Sequence, residues 1–381
     1  MSSEPQIKTK AYEYIIYWLV TFFILILAIP VAIMSVLKYL LKILALPLKS
    51  WRHFLAFMLI LLLAIVSYVV YHLFIPYDIG VQVKNIMVAE NDNFPIVLKK
   101  LVDNGLVEDK QLFKLLAVAG GIDKSIIPGR YDFSGRVSLY GIYRKFKRQE
   151  IATLLITIPE GLTVNKIAGL FQKNLDLDSA AFVNLAFDTS YTRAHYGLDD
   201  LEGYLFPETY RFQYGVKIEQ VFDIMLDEFN RRTKPVFDAS PENSLSKEQT
   251  IILASIIEAE ARFDDEKSTI ASVYHNRLDD KMRLQADPTV IYALGGLDRP
   301  LYYKDLEYDS PYNTYRYHGL PPGPINSPGL ASIVAALIPD TSEYYYFVAD
   351  GSGRHIFSRT LREHNRAKNQ IKKLKKQSGN I

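Results

Sequence analysis

Residues 246–263 read SKEQTIILASIIEAEARF, and this stretch decides how the C-terminal half folds. Ser246 with Gln249 forms a capping box, so a helix is predicted from there to about Phe263. The apolar run from Ile251 to Ile257 is long enough to be buried, yet it ends in two carboxylates, Glu258 and Glu260. Two residues apart on a helix means about 200° around the axis, so the two cannot share a face. Glu260 follows Ile257, Ile256 and Leu253 on the stripe expected to face inward, whereas Glu258 follows Ser255, Ala254 and Ile251 on a less enclosing surface. A carboxyl held against apolar neighbours has its charged form desolvated, and its proton affinity rises toward the working range of a general acid. Glu260 is therefore the better acid. The competing reading makes both ordinary helix residues, one solvated and one paired with Arg262, Arg277 or Arg283.

Around this helix the signals are of a mixed α and β chain. Downstream, Asp265 is an expected cap for a second helix whose Ile270, Val273, Tyr274, Arg277 and Leu278 fall on one face. Asp287 before Pro288 reads as a further cap, with Gly295 closing that helix, and Ser327-Pro328 repeats the device. Tyr344 to Ala349 and His355 to Ser358 flank Asp350-Gly351-Ser352-Gly353 as a hairpin. Upstream, residues 216–245 read as a polar amphipathic helix ending at a seam near Pro241. Ile151 to Ile158 reads as a strand, and Thr163 caps the helix that follows. Residues 78–150 alternate short apolar runs with turns such as Gly120-Gly121 and Pro128-Gly129, a small mixed module.

The N-terminus differs in kind. Apolar residues make up 49% of the 381-residue chain, and two uninterrupted runs, Ile15 to Leu37 and Phe54 to Ile75, hold no Asp, Glu, Lys or Arg. About 20 apolar residues cross a bilayer as helix, so two transmembrane helices are expected, at 15–37 and 54–75. Pro30 leaves the first run open to a hairpin or a surface-lying helix. The loop between them carries Lys38, Lys42, Lys49 and Arg52 and no acid, which places it in the cytoplasm and everything after residue 77 outside the membrane. The expected organisation is an anchor at 1–77, the small module at 78–150, a strand-helix lobe at 151–245, a catalytic lobe at 246–368 and a basic tail at 369–381: an α+β class chain behind N-terminal transmembrane helices.

Composition excludes several chemistries. With 44 Lys plus Arg against 42 Asp plus Glu the net charge is +2, which gives no bulk reason to expect nucleic acid. Zero Cys removes thiol nucleophiles, disulfides and Cys-ligated metal. No H-E-x-x-H, G-x-S-x-G or phosphate-binding glycine loop occurs, and the 7 His offer no ligand pair at helical spacing, so neither metal nor cofactor is expected. What stands out is a concentration of tyrosines, Tyr302, Tyr303, Tyr308, Tyr312, Tyr315 and Tyr317, leading into HGLPPGPINSPG at 318–329. A Pro- and Gly-fixed loop rich in Tyr suits stacking on sugar rings, which have apolar faces and hydroxyl edges. The same tyrosines also suit a wet core.

Taken together, ILASIIEAEA (252–261), ASVYHNRL (271–278), MRLQADPTVIYALG (282–295), SPYNTYRYHGLPPGPINSPG (310–329) and YYYFVADGSGRHIF (344–357) resemble the endolytic murein transglycosylases, the YceG-like family. EGYLFPETYRF (202–212), IPEGLTV (158–164) and the weaker IPGRYDF (127–133) fit the same pattern, and the likeness covers roughly Ile79 to Lys368. It implies a membrane-anchored enzyme at the inner membrane, its C-terminal domain periplasmic. Such an enzyme cuts nascent peptidoglycan glycan strands between N-acetylmuramic acid and N-acetylglucosamine and leaves 1,6-anhydro ends. It implies a LysM-like module at 78–150, peptidoglycan synthases as partners, and Glu260 as the catalytic acid. Gln285, Asp287, Tyr312, Asn313 and Tyr315 are the residues expected to orient sugar hydroxyls and acetamido groups, although Asp287 also suits a helix cap. Relatives carry one spanning helix where two are expected here. A water-using muramidase and a noncatalytic, membrane-tethered glycan-binding scaffold are the alternatives.

Overall fold

A computed structural model describes residues 51–240 and 245–377, with residues 35, 36, 38, 39 and 42 in addition. It opens with α1 (Trp51–Phe74), 24 residues with no buried side chain. Among the described residues α1 is the one helix long and apolar enough to cross a membrane, and it coincides with the second expected span. The first expected span, 15–37, lies outside the described residues apart from Ser35 and Val36.

A small unit follows: β1 (Tyr77–Asp78), β2 (Lys84–Val88), α2 (Phe94–Asp103), α3 (Lys110–Gly120), β3 (Gly129–Phe133), β4 (Arg136–Val137) and α4 (Leu139–Lys147). β1 pairs antiparallel with β4, and β2 with β3 so that Ile86 stands opposite Tyr131. Each helix begins at a side chain that accepts a backbone N–H, Asn93, Asp109 and Ser138, which satisfies donors that would otherwise be orphaned. Phe113, Tyr131, Phe146 and Leu101 are sealed inside, and Val69 and Leu73 of α1 pack against this core.

The larger body comprises β5 (Thr153–Thr157), α5 (Val164–Leu175), α6 (Ser179–Ala186), α7 (Thr189–Tyr196), β6 (Thr209–Gln213) and α8 (Ile218–Ala239). Next come α9 (Lys247–Glu260), α10 (Asp264–Asp279), α11 (Asp287–Ala293), α12 (Leu330–Leu337), β7 (Tyr346–Ala349), β8 (His355–Ser358) and α13 (Leu361–Gln377). β5 pairs with β6 and β7 with β8, both antiparallel. The fold is thus mixed α and β. Buried residues from Ile156 through Phe229 and from Ile251 through Ala336 form a single core, so the expected seam near Pro241 runs over shared packing. The basic C-terminal helix buries Ala367 and Ile371.

Three expected caps are displaced, two because the side chain has another partner and the third because its backbone is held elsewhere. α10 starts at Asp264 with Phe263 in the cap position, while Asp265 pairs with Arg354 at 3.0 Å. Asp287 is the first residue of α11, with Ala286 in the cap position, and its carboxylate takes the Tyr315 hydroxyl at 2.6 Å. α12 starts at Leu330 after Gly329, because Ser327 is held in a bridge with Leu162.

Candidate active site

The capping box opens α9 as expected: Gln249 N–H donates to Ser246 Oγ at 3.1 Å, and Ser246 N–H to Gln249 Oε1 at 2.9 Å. The helix then passes through the core, with every residue from Thr250 to Ile257 buried. Ser255 tolerates this because its hydroxyl donates to Ile252 O at 2.7 Å and accepts from Ile325 N–H at 3.0 Å, while Asn326 Nδ2 donates to Ser255 O at 2.8 Å. Those bonds lock the rigid 310–329 loop against α9. Past the core, the last turn, Glu258, Ala259 and Glu260, comes back to accessible ground.

Glu260 lies beside Tyr274 of α10, whose hydroxyl donates to Glu260 Oε1 at 3.3 Å. Burial, and then the Asp287 carboxylate, push the Glu260 carboxyl up to about 7; the Tyr274 hydrogen bond and the Arg277 charge oppose this. Arg277 is 7% exposed and spends its guanidinium on carbonyls, Tyr345 O at 2.7 Å and Leu284 O at 2.6 Å, so it stabilises the region without pairing with Glu260. A carboxyl that keeps its proton near neutrality, with a fixed phenol donor on one oxygen, is equipped to give that proton and take one back.

Two backbone devices bring Asp287 and Tyr315 to it. Gln285 adopts a left-handed φ of 50°, and its N–H meets Thr314 O at 3.2 Å. Ala286 N–H meets Thr314 Oγ1 at 3.0 Å, and Thr289 Oγ1 lies 2.9 Å from the same atom. The start of α11 is thereby stitched to the Tyr-rich loop, setting Tyr315 against Asp287, while the Gln285 side chain is exposed. A non-glycine residue in that region is strained, and such strain clusters at functional sites.

The other two expected sugar contacts lie elsewhere. Asn313 is completely buried; its amide donates to Leu306 O at 2.9 Å and Tyr308 O at 2.7 Å, and its carbonyl accepts from Tyr315 N–H at 2.9 Å. It shapes the loop and cannot reach a ligand. Tyr312 packs on Tyr292, ring centroids 5.0 Å apart, with Asp200 and Glu202 as its charged neighbours. Four of the remaining tyrosines, Tyr302, Tyr303, Tyr308 and Tyr317, are largely exposed.

Glu258 also departs from its sequence reading. Its side chain is 9% exposed, not on an open surface: Ser332 Oγ donates to Oε2 at 2.6 Å, Gly329 N–H at 3.1 Å and Lys267 Nζ at 3.3 Å. Lys267, 3% exposed, also reaches Asp264 at 2.8 Å and Glu160 at 3.9 Å. The cation partner is a lysine one helix away, not one of the three arginines considered from sequence. Helix angle alone misjudged this face because α12 and the Leu162–Ser327 bridge cover it.

Lys267, Glu160 and Glu202 were not singled out from sequence, although Glu160 and Glu202 sit inside motifs already recognised. Glu202 is 1% exposed and accepts from Val164 N–H at 3.1 Å and from the Tyr292 hydroxyl at 3.2 Å. Burial pushes its carboxyl up to about 8 against those two donors. Tyr292 in turn lines a cleft of about 560 Å³ with Ala259, Pro288, Ile291, Gly161, Thr163 and Asn326. Ala259 and Pro288 are the chain neighbours of Glu260 and Asp287, whose own side chains are not part of its lining. Among the described residues no cluster of His, Asp and Glu is arranged to hold a metal ion.

The YceG-like family profile matches residues 86–370. An endolytic murein transglycosylase of Bacillus subtilis strain 168 is 34% identical over 301 residues, which cover 74% of this chain and 83% of that protein. One of the same name from Streptococcus pneumoniae serotype 2 strain D39 is 27% identical over 317 residues, 73% of this chain and 56% of the relative. The crystal structure of a YceG-like protein from Listeria monocytogenes superposes with a TM-score of 0.53 at 31% identity, covering 75% of this chain and 99% of that one. The stretch matched runs from the small unit through α9, the Tyr-rich loop and the C-terminal hairpin, and this chain belongs to the YceG-like family.

Proposed function

We propose that this protein is a membrane-anchored lytic transglycosylase that cuts glycan strands of peptidoglycan internally, between N-acetylmuramic acid and N-acetylglucosamine, leaving 1,6-anhydro ends. The observation that carries the proposal is the Glu260 carboxyl, held near neutrality by burial and by the Asp287 charge with the Tyr274 hydroxyl on one oxygen. It is supported by the endolytic murein transglycosylases to which the chain is similar.

Glycoside hydrolysis commonly needs a second carboxylate to manage water or act as nucleophile. Lytic cleavage relaxes that demand, because the attacking C6 hydroxyl sits on the same sugar as the C1 it attacks and gains the effective molarity of a positioned reactant. Protonated Glu260 donates to the bridging oxygen as the C1–O bond breaks. The resulting carboxylate then takes the C6 hydroxyl proton as the C6 oxygen closes on C1, restoring the acid with no water consumed. In this scheme Gln285, Asp287 and Tyr315 orient hydroxyl and acetamido groups, and Asp287 additionally keeps the acid protonated. Asn313 and Tyr312 act through loop shape.

α1 serves as the anchor, its Lys- and Arg-bearing N-terminal flank cytoplasmic and the body outside, periplasmic where the membrane is an inner one. The small unit takes the role of a LysM-like module, and the tether keeps the cleft near strands leaving their synthases, which fits peptidoglycan synthases as partners. The deciding experiment is digestion of un-crosslinked glycan by the purified body, with products weighed by mass spectrometry. Anhydro ends are expected. Ends heavier by one water would make the protein a hydrolytic muramidase, and binding without product would make it a scaffold.

A further inference from the structure

We infer that the exposed face of α4, with the neighbouring Arg136, lies on the outer surface of the bilayer and binds the headgroups of anionic phospholipids. The inference rests on α1 being a membrane span. Along α1, Trp51 marks one end and Tyr68 and Tyr71 the other, all of them exposed. Trp and Tyr favour the membrane–water boundary, and the rise from Trp51 to Tyr71 is about 30 Å, the thickness of the hydrocarbon layer. His72 to Pro76 then fall at headgroup depth.

The small unit is docked at that depth and does not stand off on a linker. Val69 and Leu73 pack into its core, the Phe74 ring meets Tyr140 of α4 with centroids 4.8 Å apart, and Arg136 donates to Pro76 O at 3.1 Å. On α4, Leu139, Ile142 and Phe146 are buried, while Tyr140, Arg144 and Lys147 recur at i, i+4 and i+7 on the other side. The face that touches α1 through Tyr140 therefore continues into two cations. Lys147 donates to Gly120 O at 2.8 Å, and neither Arg144 nor Lys147 forms an ion pair among the described residues. Lys145 turns inward, its Nζ over the Phe133 ring. The acids nearby are Asp78, opposite Arg136 in the strand pair, Glu150, 3.9 Å from Arg148, and Asp123 in the 3₁₀ turn Ile122–Lys124 that packs on α4. An amphipathic tyrosine against the end of α1, followed along the same face by cations without ion pairs, matches an anionic lipid surface, to which each cation near the surface adds about fivefold in binding.

The absence of Cys makes the test direct. A nitroxide is placed on Arg148→Cys, beside the face but not part of it, and a control on Lys173→Cys, exposed on α5. Each full-length chain is reconstituted in vesicles of phosphatidylcholine with or without phosphatidylglycerol, and collision with an aqueous nickel complex is measured. The expected result is that accessibility at 148 falls several-fold with phosphatidylglycerol, recovers in high salt and in the Arg144→Gln/Lys147→Gln background with unchanged melting temperature, and stays constant at 173. Equal accessibility at 148 in both lipids, in a chain that resists alkaline extraction, overturns this inference alone. Release of the chain by alkaline extraction overturns the anchor and this inference with it.

Discussion

The Asp287 carboxylate raises the proton affinity of Glu260 while Tyr274 lowers it through its hydrogen bond, so the two residues set the acid's working range from opposite sides. Asp287→Asn removes the like charge and is expected to move the alkaline limb of the pH–activity profile down by about 0.5–1 pH unit, whereas Tyr274→Phe moves it up. Profiles of kcat/KM for the three proteins check this, and shifts in the same direction would refute it.

Glu260→Gln is expected to lower kcat by about 10³-fold or more, roughly 4 kcal/mol of barrier, with the fold retained. Near-wild-type turnover would remove Glu260 from the mechanism.

The same variant makes a prediction about stability. Burial pushes the folded carboxyl up to about 7 from the 4.5 of an unburied glutamate, so the folded state binds the extra proton between these values. Its contribution is full below pH 4.5 and is lost as pH rises through about 7. Relative to Glu260→Gln, the wild type should therefore lose about 1–3 kcal/mol across that window and run parallel outside it. Thermal midpoints of both proteins measured across the window test this; parallel curves throughout would mean the carboxyl is not desolvated.

Lys267 is buried among Glu258, Asp264 and Glu160, and breaking a buried ion pair leaves a charge without compensation. Glu258→Gln should cost about 1–3 kcal/mol, since Gln can still accept from Ser332 and Gly329, and Lys267→Met about 3–5 kcal/mol. Denaturant midpoints should rank them so. Activity of folded Glu258→Gln should exceed that of Glu260→Gln by orders of magnitude.

Gln285→Gly removes a side chain from a backbone already in the left-handed region. Stability should hold or rise by about 0.5–1 kcal/mol, while KM rises several-fold if the amide meets sugar. An unchanged KM would confine Gln285 to shaping the turn.

Local signals were readable wherever local chemistry decides the outcome. The Ser246–Gln249 box, the Thr163 cap and the 344–358 hairpin formed as their residues dictate. Contacts made across the chain were not readable. Nothing near Glu258 announces Lys267 or the Gly329 N–H, and nothing near Asn313 says that its amide serves two loop carbonyls. Asp287 kept its place at the start of α11 but exchanged capping for a tyrosine, a choice made by residues 28 positions away.

Gly129 and Gly215 approach so closely that a Cβ on Gly215 would meet the Gly129 Cα at 3.4 Å, and Arg130 lies 4.4 Å over the Tyr214 ring. With the small unit clamped to α1 on one side and to the body on the other, the chain between them behaves as a strut and not as a leash. On the proposed function, the altitude at which a glycan is severed is then built into the protein, and lengthening the strut would be the way to change it.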